Sequence, residues 1–402
     1  MKYRLTCFIL LLTMVAFAQK IPAKIPPKLL SDISVEEIDS IFEEVNDTYK
    51  LGELNLLIDN ICEKLNGTLL IARNDSVIIR RTVGTIRLYE NKKGYEEWTN
   101  NELRNAKKRA INKLQDNTFY ELASLSKQFT AAAILKLVDD KKIKLTDTLR
   151  KFYPELPYQN ITIHQMLAHT SGLPEYFEFP FDYFDTTVLL TNQMLVEVLA
   201  EQQPEIQFTP AKKYEYTNTN YALLAAIIEK VTGKKFEEYV RRNIFLPAGM
   251  TKTFFVTQLD QRKYLSIAVG HLRTKEELKQ FFMDGTLGDK GVYSTPEELM
   301  KWKKAFFDDK IIISEELLEK AISKENYIKG RGIAKEMYGY GFRVEENPAF
   351  GKLIYHGGLW RGFQNVMVYQ PEENIVIIFL SNFRNSAHLG QSDEIMHILE
   401  GA

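Results

Sequence analysis

The chain has 402 residues, 45% hydrophobic, 12% aromatic and 26% charged, a globular composition that excludes disorder, collagen-like repeats and low-complexity scaffolds. With 52 Lys and Arg against 53 Asp and Glu the net charge is −1, so no basic excess draws the chain to nucleic acid or to an acidic membrane face. The length suits one large domain or two to three smaller ones.

In chain order, Lys2 and Arg4 make a positive start, Leu5–Ala16 is an apolar run, and Ala16-Phe17-Ala18 has the A-x-A form of a cleavage site. Residues 1–18 read as a secretory signal peptide, too short to cross a bilayer. Its removal takes two basic residues, leaving 50 against 53 acidic ones and a net charge of −3. The mature chain is expected to be periplasmic or extracellular. Only Cys62 survives cleavage, which excludes an intrachain disulfide; it reads as a buried apolar filler rather than a reactive thiol. Residues 19–65 read as a leader and N-terminal helices. Pro22, Pro26 and Pro27 keep the start extended. Helical spacing follows at Ile38, Ile41 and Phe42, then at Leu54, Leu57, Ile58 and Ile61.

Thr68–Ala72 and Val77–Ile79 flank the turn residues Arg73–Ser76 and predict a β-hairpin. Residues 88–116 are charged and polar, a solvated insertion. From Ser124 to about residue 310 the pattern is mostly helical. Ala131–Val138 is apolar on most sides, as in a buried helix, and Thr295-Pro296-Glu297-Glu298 is a helix start. Lys352–Tyr355, Gln364–Tyr369 and Ile375–Leu380 predict strands, and Asp393–Leu399 a closing helix. Strands at both ends with helices between predict an α+β fold: an antiparallel sheet from both chain ends, flanked by helices, plus a mainly helical insert. The catalytic domain is expected over 66–402, its sheet part at about 66–123 and 300–402 and its helical part at about 124–299.

Three segments can carry chemistry. In Ser124-Leu125-Ser126-Lys127, positions i and i+3 share a helix face, so a desolvated Lys127 can take the Ser124 proton. The competing reading is a surface pair. In Tyr216-Thr217-Asn218, a phenol whose pKa is depressed by a nearby lysine serves as base and acid, while Asn218 holds a substrate carbonyl or positions Lys127. The alternative is that Asn218 or Thr219 caps a helix. In His356-Gly357-Gly358-Leu359, glycines permit close approach to a strand edge, where a backbone N–H can donate to an oxyanion. The plain alternative is a glycine bend beside a structural histidine. His169 reads as structural rather than as a triad base, and Arg361 as a solvated arginine rather than a substrate cation.

Together, S-x-x-K, Y-x-N and H-x-G in this order resemble the serine β-lactamase and penicillin-binding-protein superfamily, in its class C β-lactamase, DD-peptidase and esterase branch. Phe129-Thr130-Ala131, Leu167–Pro174, Ile244–Met250, Gly291–Thr295, Tyr338–Phe342 and Leu380-Ser381-Asn382 extend the likeness over about Asn66 to Asn382. The resemblance implies a β-lactamase/transpeptidase-like fold, Ser124 as acylated nucleophile, Lys127 and Tyr216 sharing proton transfer, and Asn218, His356, Gly358 and Leu359 binding substrate. The backbone N–H groups of Ser124 and Leu359 would form the oxyanion hole. It implies no cofactor, and the six histidines show no zinc-ligand spacing. Class C β-lactamases have Lys where this chain has His356, a choice shared with DD-peptidases and esterase-like relatives. The expected function is therefore an exported serine hydrolase acting through an acyl-enzyme on small amides or esters, D-amino-acid peptides among them. The alternatives are a true β-lactamase and a catalytically silent binding protein. The expected partner is a small molecule or short peptide, with no nucleic acid, no membrane span and no assigned oligomer. Phe177, Phe179, Phe181, Tyr183 and Phe184, with Tyr176, read equally as an acyl pocket or as core.

Overall fold

In the computed structural model of the chain, the described residues are 50–87, 113–158, 160–262, 266–271, 278–323, 326–327, 335–384 and 388–400. The expected signal peptide, the extended leader, the helix at Ile38–Phe42 and residues 88–112 of the expected insertion lie outside them. The chain divides into two compact units, Met1–Leu56 and Leu57–Ala402. Helix α1, residues 50–62, begins in the first and falls where the Leu54–Ile61 spacing predicts a helix. Cys62 near its end is half-buried rather than fully buried, because it sits at the helix terminus between exposed and buried faces.

The second unit is built on β1 (Gly67–Arg73), β2 (Ser76–Val83), β3 (Tyr120–Glu121), β4 (Phe254–Phe255), β5 (Val292–Ser294), β6 (Asn326–Tyr327), β7 (Lys335–Tyr338), β8 (Arg343–Asn347), β9 (Gly351–Trp360), β10 (Phe363–Gln370) and β11 (Ile375–Ser381). Among the described residues, eight of them form an antiparallel sheet in the order β2-β1-β11-β10-β9-β8-β7-β6. Strands from the two ends of the unit meet at the β1–β11 ladder, Gly67 opposite Ser381 and Arg73 opposite Ile375. This is the expected α+β fold. The β1 and β11 sequences are apolar without alternation because both faces are covered. Leu70, Ala72, Val376, Ile378 and Leu380 join the main core. From the alternate positions, Phe379 stacks on His388 of α6 (His388–Glu400), the rings 4.8 Å apart.

The helical part packs on α2 (Lys127–Asp139) and α4 (Asn218–Thr232), with α3 (Asn192–Gln202) against α4. Residues 128–135 of α2 are all buried, which is why Ala131–Val138 lacks a polar face. α5 (Pro296–Lys303) starts as its sequence predicts: Thr295 caps the backbone N–H of Glu298, and Pro296 opens the helix. Two differences stand out from the sequence expectation. β4 and β5 lie inside the segment expected to be helical, where they join β3 in a separate sheet of order β3-β5-β4. At two and three residues each, they are too short for a period-2 pattern to register. Likewise β6–β8 have no sequence signal of their own; pairing across the sheet makes them strands.

Candidate active site

The chain leaves β3 at Glu121 and turns sharply at Ala123, whose φ of 52° lies in the left-handed region. One 3-10 turn, Ala123–Ser126, then runs straight into α2. Ser124 and Lys127 thus sit one turn apart at the start of a buried helix. Beside them passes β9, which outruns its neighbour: the β8 ladder ends at Arg343 opposite Tyr355. Residues 356–360 keep β10 on one side and turn their other edge to the Ser124 turn. A Cβ on Gly358 would stand 2.2 Å from the Leu122 carbonyl oxygen, so only glycine lets the strand come this close.

The Lys127 ammonium nitrogen has three partners. It lies 3.1 Å from Ser124 Oγ, 2.8 Å from Asn218 Oδ1 and 2.8 Å from the Asp289 carbonyl oxygen. The residue is fully buried, and that burial pulls its pKa down to about 8; Asp289 and Glu175 oppose the shift, and Arg343 adds to it. Asn218 opens α4 and is itself held by Glu175. The Glu175 Oε2 accepts from the Asn218 backbone N–H at 2.8 Å and from Nδ2 at 2.9 Å. Since Nδ2 is committed to that carboxyl, the amide oxygen faces Lys127. Asn218 thus turns its amide oxygen to Lys127, and its backbone N–H at the start of α4 is met by Glu175 rather than by its own side chain.

Tyr216 lies in the loop before α4, with the Lys127 nitrogen 4.9 Å from its ring centroid. Its pKa is not depressed, as a neighbouring lysine led the sequence reading to expect, but raised. Burial is the main cause; Ser124 and Arg343 pull the other way without overcoming it. Desolvation of the phenolate outweighs the charges around it. The hydroxyl has no partner of good hydrogen-bond geometry among the described residues.

His356 is buried in β9, and both ring nitrogens are engaged. Nδ1 lies 2.6 Å from the Gly357 carbonyl oxygen and Nε2 3.0 Å from the Tyr338 hydroxyl. The carbonyl can only accept, so Nδ1 carries the proton and Nε2 accepts. Burial first, then Arg343 and Lys127, hold this imidazole neutral, well below the usual histidine pKa. The fixed cation in this part of the site is Arg343, 5.9 Å from the Tyr216 ring centroid and paired with Glu336. Arg361 is engaged elsewhere, with the Lys279 carbonyl and over the Phe281 ring. Leu359 is half exposed, opposite Gln364 of β10. His169 is buried behind Tyr216, ring centroids 4.2 Å apart, with Nδ1 accepting from Asn220 Nδ2 and the Thr217 N–H. It makes no hydrogen bond to Ser124 or Lys127.

Sequence reasoning missed Glu175, Asp289, Lys290 and Arg343. Glu175 directly follows the Leu167–Pro174 string, so its place was signalled though its role was not. Lys290 is buried beside Asp289, donating to the Tyr176 hydroxyl at 2.7 Å, and lies about equally near Phe177 and Trp360, which stack 4.7 Å apart. The aromatic run divides: Tyr176, Phe179 and Phe184 are core, Phe177 lies against Trp360, and Phe181 is exposed. Among the described residues, no three His, Cys, Asp or Glu side chains group as metal ligands do.

Comparison with known proteins places this geometry in a family context. The family described as Beta-lactamase matches residues 67–399. Penicillin-binding protein 4* of Bacillus subtilis (strain 168) is 31% identical over 369 residues, covering 88% of this chain and 76% of that protein. The Staphylococcus aureus (strain MRSA252) protein flp is 27% identical, over 68% of this chain and 54% of its own length. Two solved structures share the fold: the octameric penicillin-binding protein homologue from Pyrococcus abyssi (TM-score 0.72, 24% identity, 87% of this chain and 77% of that one) and the D-amino acid amidase from Ochrobactrum anthropi SV3 (TM-score 0.67, 21% identity, 87% and 98%).

Proposed function

The chain belongs to the beta-lactamase family and is a serine hydrolase, and from that premise we propose that Ser124 is its nucleophile, Lys127 the base that activates it and Tyr216 the acid that releases the leaving group. One observation carries the assignment: the partners of the Lys127 nitrogen. A neutral amine has two N–H donors and one lone pair. Asn218 Oδ1 and the Asp289 carbonyl can only accept, so they take the two N–H groups. In the protonated form the third N–H donates to Ser124 Oγ at 3.1 Å; on deprotonation a lone pair takes its place, facing the one partner with a proton to give.

In the reaction, the Ser124 proton passes to Lys127 as Oγ bonds to the substrate carbonyl carbon. The backbone N–H groups of Ser124 and Leu359 receive the oxyanion. Tyr216, protonated because its pKa is raised, donates to the departing amine or alkoxide and is reprotonated from Lys127. Water then cleaves the acyl-enzyme, and its proton returns the site to its starting state.

The substrate class we propose is small amides or esters, including D-amino-acid peptides, reached after export directed by residues 1–18. The penicillin-binding relative supports the class. So does His356: a neutral imidazole with both nitrogens engaged brings no charge for a drug carboxylate, which favours peptidase or esterase action over antibiotic hydrolysis. Gly358 and Leu359 form the substrate-facing strand edge, with Asn218 behind Lys127. Labelling with a fluorophosphonate tests the assignment. Wild-type protein should label and Ser124→Ala should not, with ester turnover falling at least about a thousandfold. Equal labelling of the two would remove Ser124 from the mechanism.

A further inference from the structure

Glu121 has no part in the proton transfers, yet its carboxyl lies at the junction of the two segments that make them work. Its Oε1 accepts from the backbone N–H of Ala123 at 3.3 Å and from that of Gly291 at 2.8 Å. Ala123 is the residue before the nucleophile. Gly291 closes the segment whose Asp289 carbonyl holds Lys127. Ala123 sits in left-handed backbone at φ 52°, a conformation a non-glycine residue keeps only where surrounding contacts over-determine it; Gly291, at φ 97°, takes a turn that glycine adopts freely. We propose that Glu121 is a positioning residue, whose single oxygen sets the distance between the Ser124 turn and the segment that orients Lys127.

The surroundings fit this role. The backbone of Glu121 is pinned independently: it pairs with Tyr293 in the β3–β5 ladder, and Asn365 Nδ2 donates to its carbonyl at 2.8 Å. The side chain therefore reaches out from a fixed base. The Leu122 N–H donates to the Val292 carbonyl at 2.8 Å, which aligns the strands but stops short of the two turns. Beyond it the Val292 N–H reaches Ser126 Oγ at 3.3 Å, and among the described residues the Glu121 carboxyl alone joins Ala123 to Gly291. The carboxyl is buried, with Asp284 and Lys290 as its charged neighbours, and burial raises its pKa to about 8. What both N–H groups require of it is an acceptor at a given reach, which a neutral amide also supplies.

This inference rests on the Ser124–Lys127 reading, and one experiment separates the two. Fluorophosphonate acylation rates and ester kcat and KM are measured for wild type, Ser124→Ala, Glu121→Gln and Glu121→Asp, with thermal melts to confirm folding. Glutamine keeps the reach and removes the ionisable carboxyl; aspartate keeps a carboxyl and loses the reach. Glu121→Gln should acylate within about threefold of wild type, and Glu121→Asp about tenfold or more slowly, with KM within about twofold for both. A folded Glu121→Asp with the wild-type rate would overturn the proposal, as would a Glu121→Gln as slow as Glu121→Asp. Should aspartate fail to fold, a slow, folded glutamine variant alone overturns it. Wild type and Ser124→Ala labelling alike would instead reject the underlying site and leave the Glu121 contacts without this function.

Discussion

Lys127 shows how much of a residue's chemistry is set by what surrounds it. A lysine in water is protonated at neutral pH and is no base. Here burial strips its hydration and brings its pKa to about 8. The unprotonated fraction grows as pH rises toward that value, so the acylation kcat/KM should climb about tenfold per pH unit below 8 and level off above it. A phosphonate-labelling rate measured from pH 6 to 9.5 checks this; a flat profile would contradict Lys127 as the base. The same dryness keeps the Tyr216 phenol protonated, which in the proposed mechanism suits it to give a proton rather than to take one. On that proposal one environment divides the two roles between two side chains.

At the scale of elements, the site exists because β9 is longer than β8. Its last residues have a free edge, and the Ser124 turn lies against it. That approach depends on Gly358. Alanine there would put a methyl 2.2 Å from the Leu122 carbonyl oxygen, a backbone atom, with no flexible side chain to give way. Gly358→Ala should cost about 1–3 kcal/mol of stability, the usual effect of overpacking, and should slow acylation by opening the gap between strand and turn. Urea melts and labelling rates on the same preparation check both. The start of α4 shows a second device. Glu175 places a carboxyl at the helix N-terminus, where the dipole favours it, and the same oxygen orients Asn218 toward Lys127. The cap and the orientation of Asn218 come from one carboxyl oxygen.

For the molecule as a whole, closure of the sheet by strands from both ends of the unit is the organising event. Asn382, just past β11, sits where these ends meet. Its Nδ2 donates to the carbonyls of Ile86 and Val269, both at 2.9 Å, and its Oδ1 accepts from Asn66. Its backbone carbonyl accepts from the His271 N–H at 3.1 Å. Four distant stretches of chain are joined at one buried amide. Asn382→Ala would remove these bonds; the Ile86 carbonyl keeps the Val269 N–H at 3.1 Å, while the Val269 carbonyl and Asn66 lose this part-buried partner. It should lower stability by about 2–4 kcal/mol while the folded fraction still acylates. Chemical denaturation alongside active-site titration would show it; an unchanged melt would mean that the amide is dispensable.

The amino-acid sequence determined what its local rules reach. The one-turn spacing of Ser124 and Lys127, the Thr295–Pro296 helix start, the hairpin of β1 and β2 and the apolar runs of β10 and β11 all rest on interactions within a few residues. Three short motifs in order were enough to identify the fold. Tertiary structure alone decided the rest. Asn218 meets Lys127 from 91 positions away. The Asp289 contribution is a backbone carbonyl, and a main-chain atom leaves no mark on residue type. β5 is a strand because β3 and β4 pair with it on either side, and β4 because β5 lies beside it. The sign of the Tyr216 shift was beyond the sequence for the same reason: desolvation depends on everything packed around a group, and neighbours in space are not neighbours in the chain.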